Sequence, residues 1–243
     1  MKKAFAISII FNVLFVLFGG YVIHKRGGID YLKSRFNLHP EKVNQTDTAN
    51  QLRHGVSYKT QKSIFEIMPN DTNEIIFLGN SITDYCEWHE LFGNPNIKNR
   101  GIGRDVIHGV IARLDEIVES NPKKIFIMIG INDLGRKRTT EQILTDYDRL
   151  LSFIKQKSPE TEIFIQSILP TDNAENQKID DIIAINDGLK KLAETHHLTY
   201  VNLFDLFKTK ENTLDTIYTY DGLHINGKGY LIWKQAIENY VNN

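Results

Sequence analysis

The sequence predicts a three-layer α/β/α sandwich built around a parallel, five-stranded sheet. The first observation is a set of short apolar runs that do not alternate with polar residues, as is typical of strands covered on both faces. These runs occupy residues 74–78, 124–129, 162–168 and 199–202, with a weaker candidate at 97–99. The second observation is that helical patterns separate the later runs, which favours right-handed crossovers between parallel strands.

Three segments carry the helical pattern. In residues 140–157 the apolar side chains recur at spacings of three and four, and Ser158 and Pro159 end the pattern. Residues 179–196 and 228–241 repeat this spacing. We therefore expect helices of this length to cover the two faces of the sheet.

Ligands of such folds bind where the carboxyl ends of the strands meet the loops. The chain places its chemically distinctive residues at those positions: Ser81 after the first run, residues 99–104 after the second, Asn132 after the third, Ser167 and Thr171 after the fourth, and Asp221 and His224 before the last helix. These residues are expected to meet at one edge of the sheet.

A serine in this set suggests nucleophilic catalysis. A serine hydroxyl is a poor nucleophile until a base accepts its proton, and the base needs a partner that fixes its tautomer. Asp221 lies three residues before His224, close enough to reach the imidazole within one loop. Ser81, His224 and Asp221 are therefore the candidate catalytic residues.

Four sequence blocks carry a family resemblance. They read Phe77-Leu78-Gly79-Asn80-Ser81-Ile82-Thr83, Asn99-Arg100-Gly101-Ile102-Gly103-Arg104-Asp105, Gly130-Ile131-Asn132-Asp133 and Asp221-Gly222-Leu223-His224. In this order they resemble the SGNH or GDSL-type hydrolase family, and the resemblance covers about residue 58 to the C-terminus. It implies a flavodoxin-like sandwich in residues 58–243, which we take as the hydrolase domain.

The resemblance also implies a role for each matching residue. Ser81 would be the nucleophile, His224 the general base and then the general acid, and Asp221 the residue that orients it. The oxyanion hole would combine the backbone N–H of Ser81, the backbone N–H of Arg104 and the side-chain amide of Asn132. Gly103 is the alternative to Arg104 as the second backbone donor.

Two positions depart from the family pattern. Asn80 stands where the family motif has aspartate, which removes a carboxylate beside the nucleophile but keeps a side chain able to hydrogen-bond the turn. Arg104 stands where the family often has glycine, so this residue must adopt the backbone shape that the loop requires.

The implied activity is removal of a short acyl group, chiefly acetyl, from a carbohydrate or lipid ester, with no metal or organic cofactor. An O-acyltransferase that uses the same serine is an alternative, because the nucleophile and the oxyanion hole would be shared. A catalytically silent binding module on the same fold is the alternative from a different class. The oligomeric state is left open.

The first residues form a separate segment. Residues 4–23 are an uncharged apolar run of 20 residues, long enough to cross the roughly 30 Å hydrocarbon layer as a helix. We expect a transmembrane anchor at 1–26 and a polar stalk at 27–57; a cleaved signal peptide is the alternative, although such a signal usually has a shorter apolar region.

The orientation of this anchor rests on conflicting signals. Lys25, Arg26, Lys33 and Arg35 outnumber the lysines at positions 2 and 3, and a plain count of positive charge favours a cytoplasmic domain. The lysine pair ahead of the apolar run is typical of a signal anchor, and on this ground we expect an extracytoplasmic domain.

Composition excludes some other classes. The 29 basic and 30 acidic residues balance, so no basic excess points to nucleic acid as a partner. Cys86 is the only cysteine, which rules out an intrachain disulfide and a cysteine-built metal site.

Overall fold

The computed structural model describes Tyr21, residues 55–172 and residues 179–243. No helix among these residues is long and apolar enough to cross a membrane. Apart from Tyr21, the apolar run at 4–23 lies outside the described residues, as does the stalk up to residue 54. The first helix of the compact part begins at Val56, two residues before the start that the sequence suggested for the domain.

Five parallel strands form one sheet in the order β2-β1-β3-β4-β5, which is the flavodoxin-like order. The strands are β1 (Ile75–Gly79), β2 (Ile97–Gly101), β3 (Lys124–Met128), β4 (Glu162–Gln166) and β5 (Thr199–Val201). Every pairing is parallel, and Gly79 pairs with both Gly101 and Met128. The predicted three-layer α/β/α fold with a five-stranded parallel sheet is therefore confirmed.

Helices cover both faces of this sheet. In chain order they are α1 (Val56–Phe65), α2 (Ser81–Asp84), α3 (Trp88–Phe92), α4 (Ile107–Ile111), α5 (Leu114–Glu119), α6 (Ile131–Gly135), α7 (Thr140–Lys157), α8 (Ile179–His196), α9 (Phe204–Phe207) and α10 (Gly227–Asn242), with a 3-10 turn at Thr216–Tyr218. Helix α7 contacts α4, α5 and α8 in one layer. Helices α2, α3 and α10 form the other, where Trp88 packs against Trp233.

The core combines aliphatic strands with a row of stacked aromatic rings. Phe126 stacks between Phe77 and Phe164, with ring centroids 5.1 and 4.4 Å away. Trp88 is fully buried and stacks on Phe77 at 4.4 Å. Burial of side chains of this size contributes about 1.5–3 kcal/mol each relative to exposure.

All five strands differ from the predicted runs at one end or both, and the largest differences, of two residues each, are at the ends of β2 and β4. Strand β2 continues to Gly101, because its backbone stays paired with β1 as far as Gly79. Strand β4 ends at Gln166 instead of Ile168, because the Asn186 side chain takes both backbone groups of Ile168, with N–H···O and N–H···O=C distances of 2.8 and 2.9 Å. The Asn186 side chain thus makes the hydrogen bonds that a neighbouring strand would otherwise make with Ile168.

Candidate active site

Ser81 begins helix α2 immediately beyond the end of β1. The Asn80 side chain caps this helix by accepting a hydrogen bond from Ile82 N–H at 2.9 Å. The asparagine at this position therefore holds the turn, as expected. The Ser81 N–H is the first of the helix and has no intrahelical acceptor, so it points out of the helix N-terminus beside the hydroxyl.

Two glycines allow α2 to lie directly on the strand ends. A Cβ atom at Gly79 would come within 2.2 Å of Thr83 Oγ1, and one at Gly101 would come within 2.3 Å of the Asp84 nitrogen. Both distances are shorter than real Cβ contacts. The close approach places Ser81 at the carboxyl edge of the sheet between β2 and β3.

A chain of hydrogen bonds joins Ser81, His224 and Asp221. Ser81 Oγ lies 3.0 Å from His224 Nε2, and His224 Nδ1 lies 2.7 Å from Asp221 Oδ2. Because the ionised carboxylate can only accept, Nδ1 must carry the proton and Nε2 is left as the acceptor for the serine hydroxyl. Ser81 is 7% exposed, so the hydroxyl is held in a largely buried position.

The Asp221 carboxylate is fixed by its own loop. Its Oδ1 accepts hydrogen bonds from the backbone N–H groups of His224 at 2.8 Å and Leu223 at 3.0 Å. Partial burial acts to raise the pKa of Asp221, but the hydrogen bonds from the His224 side chain and from these two N–H groups outweigh it and lower the pKa to about 2. The carboxylate is therefore ionised at any ordinary pH.

Two threonines hold this loop: Thr171, which the sequence placed at this edge of the sheet without a role, and Thr219, which sequence reasoning did not single out. The Thr219 hydroxyl donates to His224 O at 2.7 Å and accepts from Gly222 N–H at 3.0 Å. The Thr171 hydroxyl donates to Gly222 O at 2.8 Å, which ties the segment after β4 to the histidine loop. In the sequence, the only indication that Thr171 lies near the site is its position after a predicted strand.

Ser167 serves the fold instead of the site. Its hydroxyl accepts hydrogen bonds from Leu203 N–H at 2.9 Å and Phe204 N–H at 2.7 Å, at the beginning of α9. Its place after a strand suggested a chemical role, but the hydroxyl is fully buried and taken by these two donors.

Arg104 adopts the left-handed backbone conformation, with φ of 65°. The Arg136 guanidinium donates to Arg104 O at 3.0 Å and supports this turn. The neighbouring Gly103 N–H hydrogen-bonds the Asp84 carboxylate; burial raises the pKa of Asp84, and this bond acts against the increase. Within the described residues the Arg104 N–H has no acceptor, so it is the open donor of the two.

Asn132 is held beside the same loop. Its Nδ2 donates one hydrogen bond to Asp105 O at 2.9 Å, which leaves a second N–H on that nitrogen. Asp105 in turn binds Arg113 through a buried ion pair of 3.0 Å. Burial raises the pKa of Asp105 to about 6, with Arg113 opposing, so the carboxylate is ionised at neutral pH.

Asp133 anchors the next turn. Both of its carboxylate oxygens face Ile107 N–H, at 3.2 and 3.3 Å, and the side chain is 2% exposed. Burial raises the pKa of Asp133 to about 7, with Ile107 N–H and the Arg138 charge opposing. Sequence reasoning placed Asp133 in a motif block but gave it no partner.

The site is thus formed from the loops after β1, β2 and β3 together with the loop before α10. Among the described residues, no group of three or more histidine, cysteine, aspartate or glutamate side chains is placed to hold a metal ion. The arrangement offers an activated hydroxyl, a base and hydrogen-bond donors in neighbouring loops, which is what acyl transfer requires.

Comparison with known proteins agrees with this geometry. The model of the GDSL-like lipase/acylhydrolase family matches residues 77–232, which include Ser81, Asn132, Asp221 and His224. The alpha1 subunit of platelet-activating factor acetylhydrolase IB from Bos taurus is 25% identical over 164 residues, 65% of this chain and 70% of the relative. The alpha2 subunit from Rattus norvegicus is 26% identical over 166 residues, 65% and 71% of the two chains.

Solved structures share the fold. A Streptococcus pneumonia protein whose description refers to platelet activating factor has a TM-score of 0.70 at 27% identity, covering 76% of this chain and 92% of that one. A GDSL-like lipase from Bacteroides thetaiotaomicron has a TM-score of 0.67 at 22% identity, covering 76% and 96%. The chain belongs to the GDSL-like lipase/acylhydrolase family and is a carboxylic ester hydrolase.

Proposed function

We propose that the enzyme removes a short acyl group, chiefly acetyl, from a carbohydrate or lipid ester through an acyl-serine intermediate on Ser81. The observation that carries this proposal is the continuous hydrogen-bonded chain from Ser81 Oγ through His224 to Asp221. A serine without such a base would remain protonated and weakly nucleophilic.

The proposed reaction begins when Ser81 Oγ attacks the ester carbonyl carbon while His224 Nε2 accepts the hydroxyl proton. The tetrahedral intermediate then collapses, the bond from carbon to the alcohol oxygen breaks, and His224 returns the proton to the departing alcohol. Water, deprotonated by His224, next attacks the acyl carbon and releases the acid and free Ser81. Asp221 stabilises the imidazolium in both halves.

Three donors are proposed for the oxyanion: the backbone N–H groups of Ser81 and Arg104 and the remaining N–H of Asn132. The open Arg104 N–H and the engaged Gly103 N–H support residue 104 as the second backbone donor. Each donor fixed in advance is worth about 2.7–4 kcal/mol toward the transition state.

The preference for acetyl is supported by the names of the curated relatives, which are acetylhydrolase subunits. The test uses the full chain in mild detergent with p-nitrophenyl esters from acetate to octanoate. We expect kcat/KM to be highest for acetate and to fall as the acyl chain lengthens. A rise with chain length would contradict the proposal, and a folded protein without turnover would favour a binding module.

The same assay separates hydrolysis from acyl transfer. With an added sugar acceptor, we expect the acetyl group to appear as free acetate. Acetyl recovered on the sugar in preference to water would favour the acyltransferase that shares this serine.

We further propose that residues 4–23 tether the enzyme to a membrane with residues 58–243 on the extracytoplasmic side. The uncharged length of this run supports a spanning helix. Protease added to intact cells should remove the catalytic domain of the full chain. If the catalytic domain is cleaved only after the membrane is permeabilised, the domain lies on the cytoplasmic side and the proposed orientation is wrong. If the mature protein begins after residue 26, the segment is a cleaved signal peptide and not an anchor.

A further inference from the structure

The Tyr85 ring lies against the imidazole of His224. Tyr85 directly follows helix α2, four residues after Ser81, and its ring centroid is 5.0 Å from that of His224 with an interplanar angle of 29°. The side chain is nevertheless 61% exposed. Within the part of the chain that the structure describes, its hydroxyl makes no hydrogen bond. A large aromatic surface beside the reacting serine is thus left open to solvent.

This ring is not needed to orient the histidine. His224 is already fixed by Asp221 through both its ring and its backbone N–H, and Thr219 holds its carbonyl. The core does not need the ring either, because the neighbouring Trp88 and Tyr230 fill the space under α2. The exposed face of Tyr85 is therefore available to a ligand.

The proposed reaction determines which part of the substrate meets this face. His224 Nε2 must deliver its proton to the alcohol oxygen, so the alcohol half of the ester has to lie beside the imidazole. Tyr85 is the aromatic ring packed on that imidazole. The alcohol half, and not the acyl group, is the part that reaches it.

The openness of this region indicates the kind of alcohol. A second exposed aromatic residue, Tyr220, directly precedes Asp221 in the loop before α10 and is 93% exposed. A long lipid alcohol would need an enclosed apolar channel to gain from burial. An open tyrosine face instead suits a ring with one apolar face and polar edges, because tyrosine combines an apolar body with a polar tip.

We propose that Tyr85 is a specificity-determining residue whose ring forms the wall of the subsite for the alcohol half of the ester, and that this subsite takes a pyranose ring. The inference rests on the proposed esterase function. The proposed substrate is therefore a carbohydrate ester. Selection of this ester over others depends on Tyr85, which is outside the hydrogen-bonded chain of Ser81, His224 and Asp221.

The test compares two esters with the same acyl group: an acetylated methyl xyloside and ethyl acetate. The full chain and its Tyr85→Ala and Tyr85→Phe variants are assayed on both, and far-UV circular dichroism and thermal unfolding confirm folding. Tyr240→Ala is the matched control. Tyr240 is a partly exposed tyrosine whose carbonyl binds Lys124 at the start of β3, at the opposite edge of the sheet.

We expect Tyr85→Ala to lower kcat/KM for the acetylated sugar about tenfold, chiefly through KM, as loss of one aromatic contact implies. Its kcat/KM for ethyl acetate should stay within about twofold of the wild type. Tyr85→Phe keeps the ring, so its kcat/KM for the acetylated sugar should stay close to that of the wild type. Tyr240→Ala should leave kcat/KM unchanged for both esters.

Equal losses on both esters would overturn the inference, because the ring would then act by positioning His224. An unchanged ratio of the two kcat/KM values in Tyr85→Ala would overturn it as well. A loss in Tyr85→Phe as large as in Tyr85→Ala would contradict recognition by the ring. Failure of the wild type on both esters would instead refute the proposed function.

Discussion

Ser81 Oγ lies 3.0 Å from Nε2 of His224, although 143 positions separate the two residues along the chain. The parallel sheet brings them together, because Ser81 follows β1, which lies between β2 and β3, and His224 precedes α10, which packs beside α2 through Tyr230 and Ile82. The contact therefore depends on the whole fold.

Replacement of Asp221 by asparagine tests the orientation of the base. The asparagine amide can donate to His224 Nδ1, which would favour the wrong tautomer and leave no acceptor at Nε2. We expect kcat for p-nitrophenyl acetate to fall by up to about 10⁴-fold with KM little changed. Asp215→Asn, at an aspartate that caps the nearby 3-10 turn, should leave kcat unchanged. Similar losses in both variants would contradict a specific role for Asp221.

The Asn132→Ala variant tests the side-chain donor. Removal of the amide should lower kcat about 10²–10³-fold while the Ser81 hydroxyl remains reactive toward small phosphonates. The variant also loses the hydrogen bond to Asp105 O, so thermal unfolding must be measured with activity. Asn202→Ala, at an exposed asparagine beyond β5, is the control. A decrease in kcat of less than about threefold would remove Asn132 from the oxyanion hole.

Arg104→Gly separates the backbone of this residue from its side chain. The left-handed φ of 65° is unfavourable for arginine and neutral for glycine, whereas glycine also increases the entropy of the unfolded chain. We expect the free energy of unfolding to change by less than about 1 kcal/mol. Because the N–H is retained, kcat/KM for ethyl acetate should stay within about twofold. A tenfold loss on this neutral ester would show that the guanidinium itself takes part.

The pKa of Asp133 makes stability depend on pH. The unfolded carboxyl releases its proton near 3.8 and the folded one only near 7, so the unfolded state binds fewer protons between these values. The free energy of unfolding must then fall as pH rises from about 4 to 7, by up to about 4 kcal/mol. The groups that face this carboxyl are Ile107 N–H, Arg138, Asp146 and His108.

Asp133→Asn keeps an acceptor for Ile107 N–H but cannot ionise. Urea denaturation at about pH 5 and pH 8 should show the variant gaining stability relative to the wild type as pH rises. Asp115→Asn, at an exposed carboxylate in α5, should follow the wild type at both values. Parallel pH dependences for the wild type and Asp133→Asn would contradict burial as the cause of the pKa shift.

The sequence predicted best those features in which the spacing of apolar residues directly reflects burial in the fold. Helices α7 and α8 have the predicted bounds because their apolar spacing reports which face is buried. Ser81 and Asn132 could be placed at one edge of the sheet because the carboxyl ends of parallel strands share it. The catalytic roles of Ser81, Asn132 and His224 came from the family resemblance and stay predictions. The predicted end of β4 was wrong because the side-chain amide of Asn186, which is distant in sequence, accepts the hydrogen bond from the backbone N–H of Ile168.

The contacts that sequence reasoning missed link segments with no common pattern. Thr171 and Thr219 hold the histidine loop through hydroxyl groups whose partners lie on other segments or within an irregular turn. Tyr85 reads locally as one more aromatic residue after a short helix, and only the fold brings it to His224. These contacts depend on how the fold arranges the loops in three dimensions, so the sequence pattern alone does not indicate them.

The central claim is that Ser81 attacks the ester as an activated nucleophile. The most direct measurement is mass spectrometry of the full chain after reaction with a fluorophosphonate, followed by peptide mapping, for the wild type and Ser81→Ala. We expect one covalent adduct on Ser81, parallel loss of p-nitrophenyl acetate turnover, and neither adduct nor turnover in the folded Ser81→Ala protein. An adduct on another residue, or turnover that survives in Ser81→Ala, would contradict the claim.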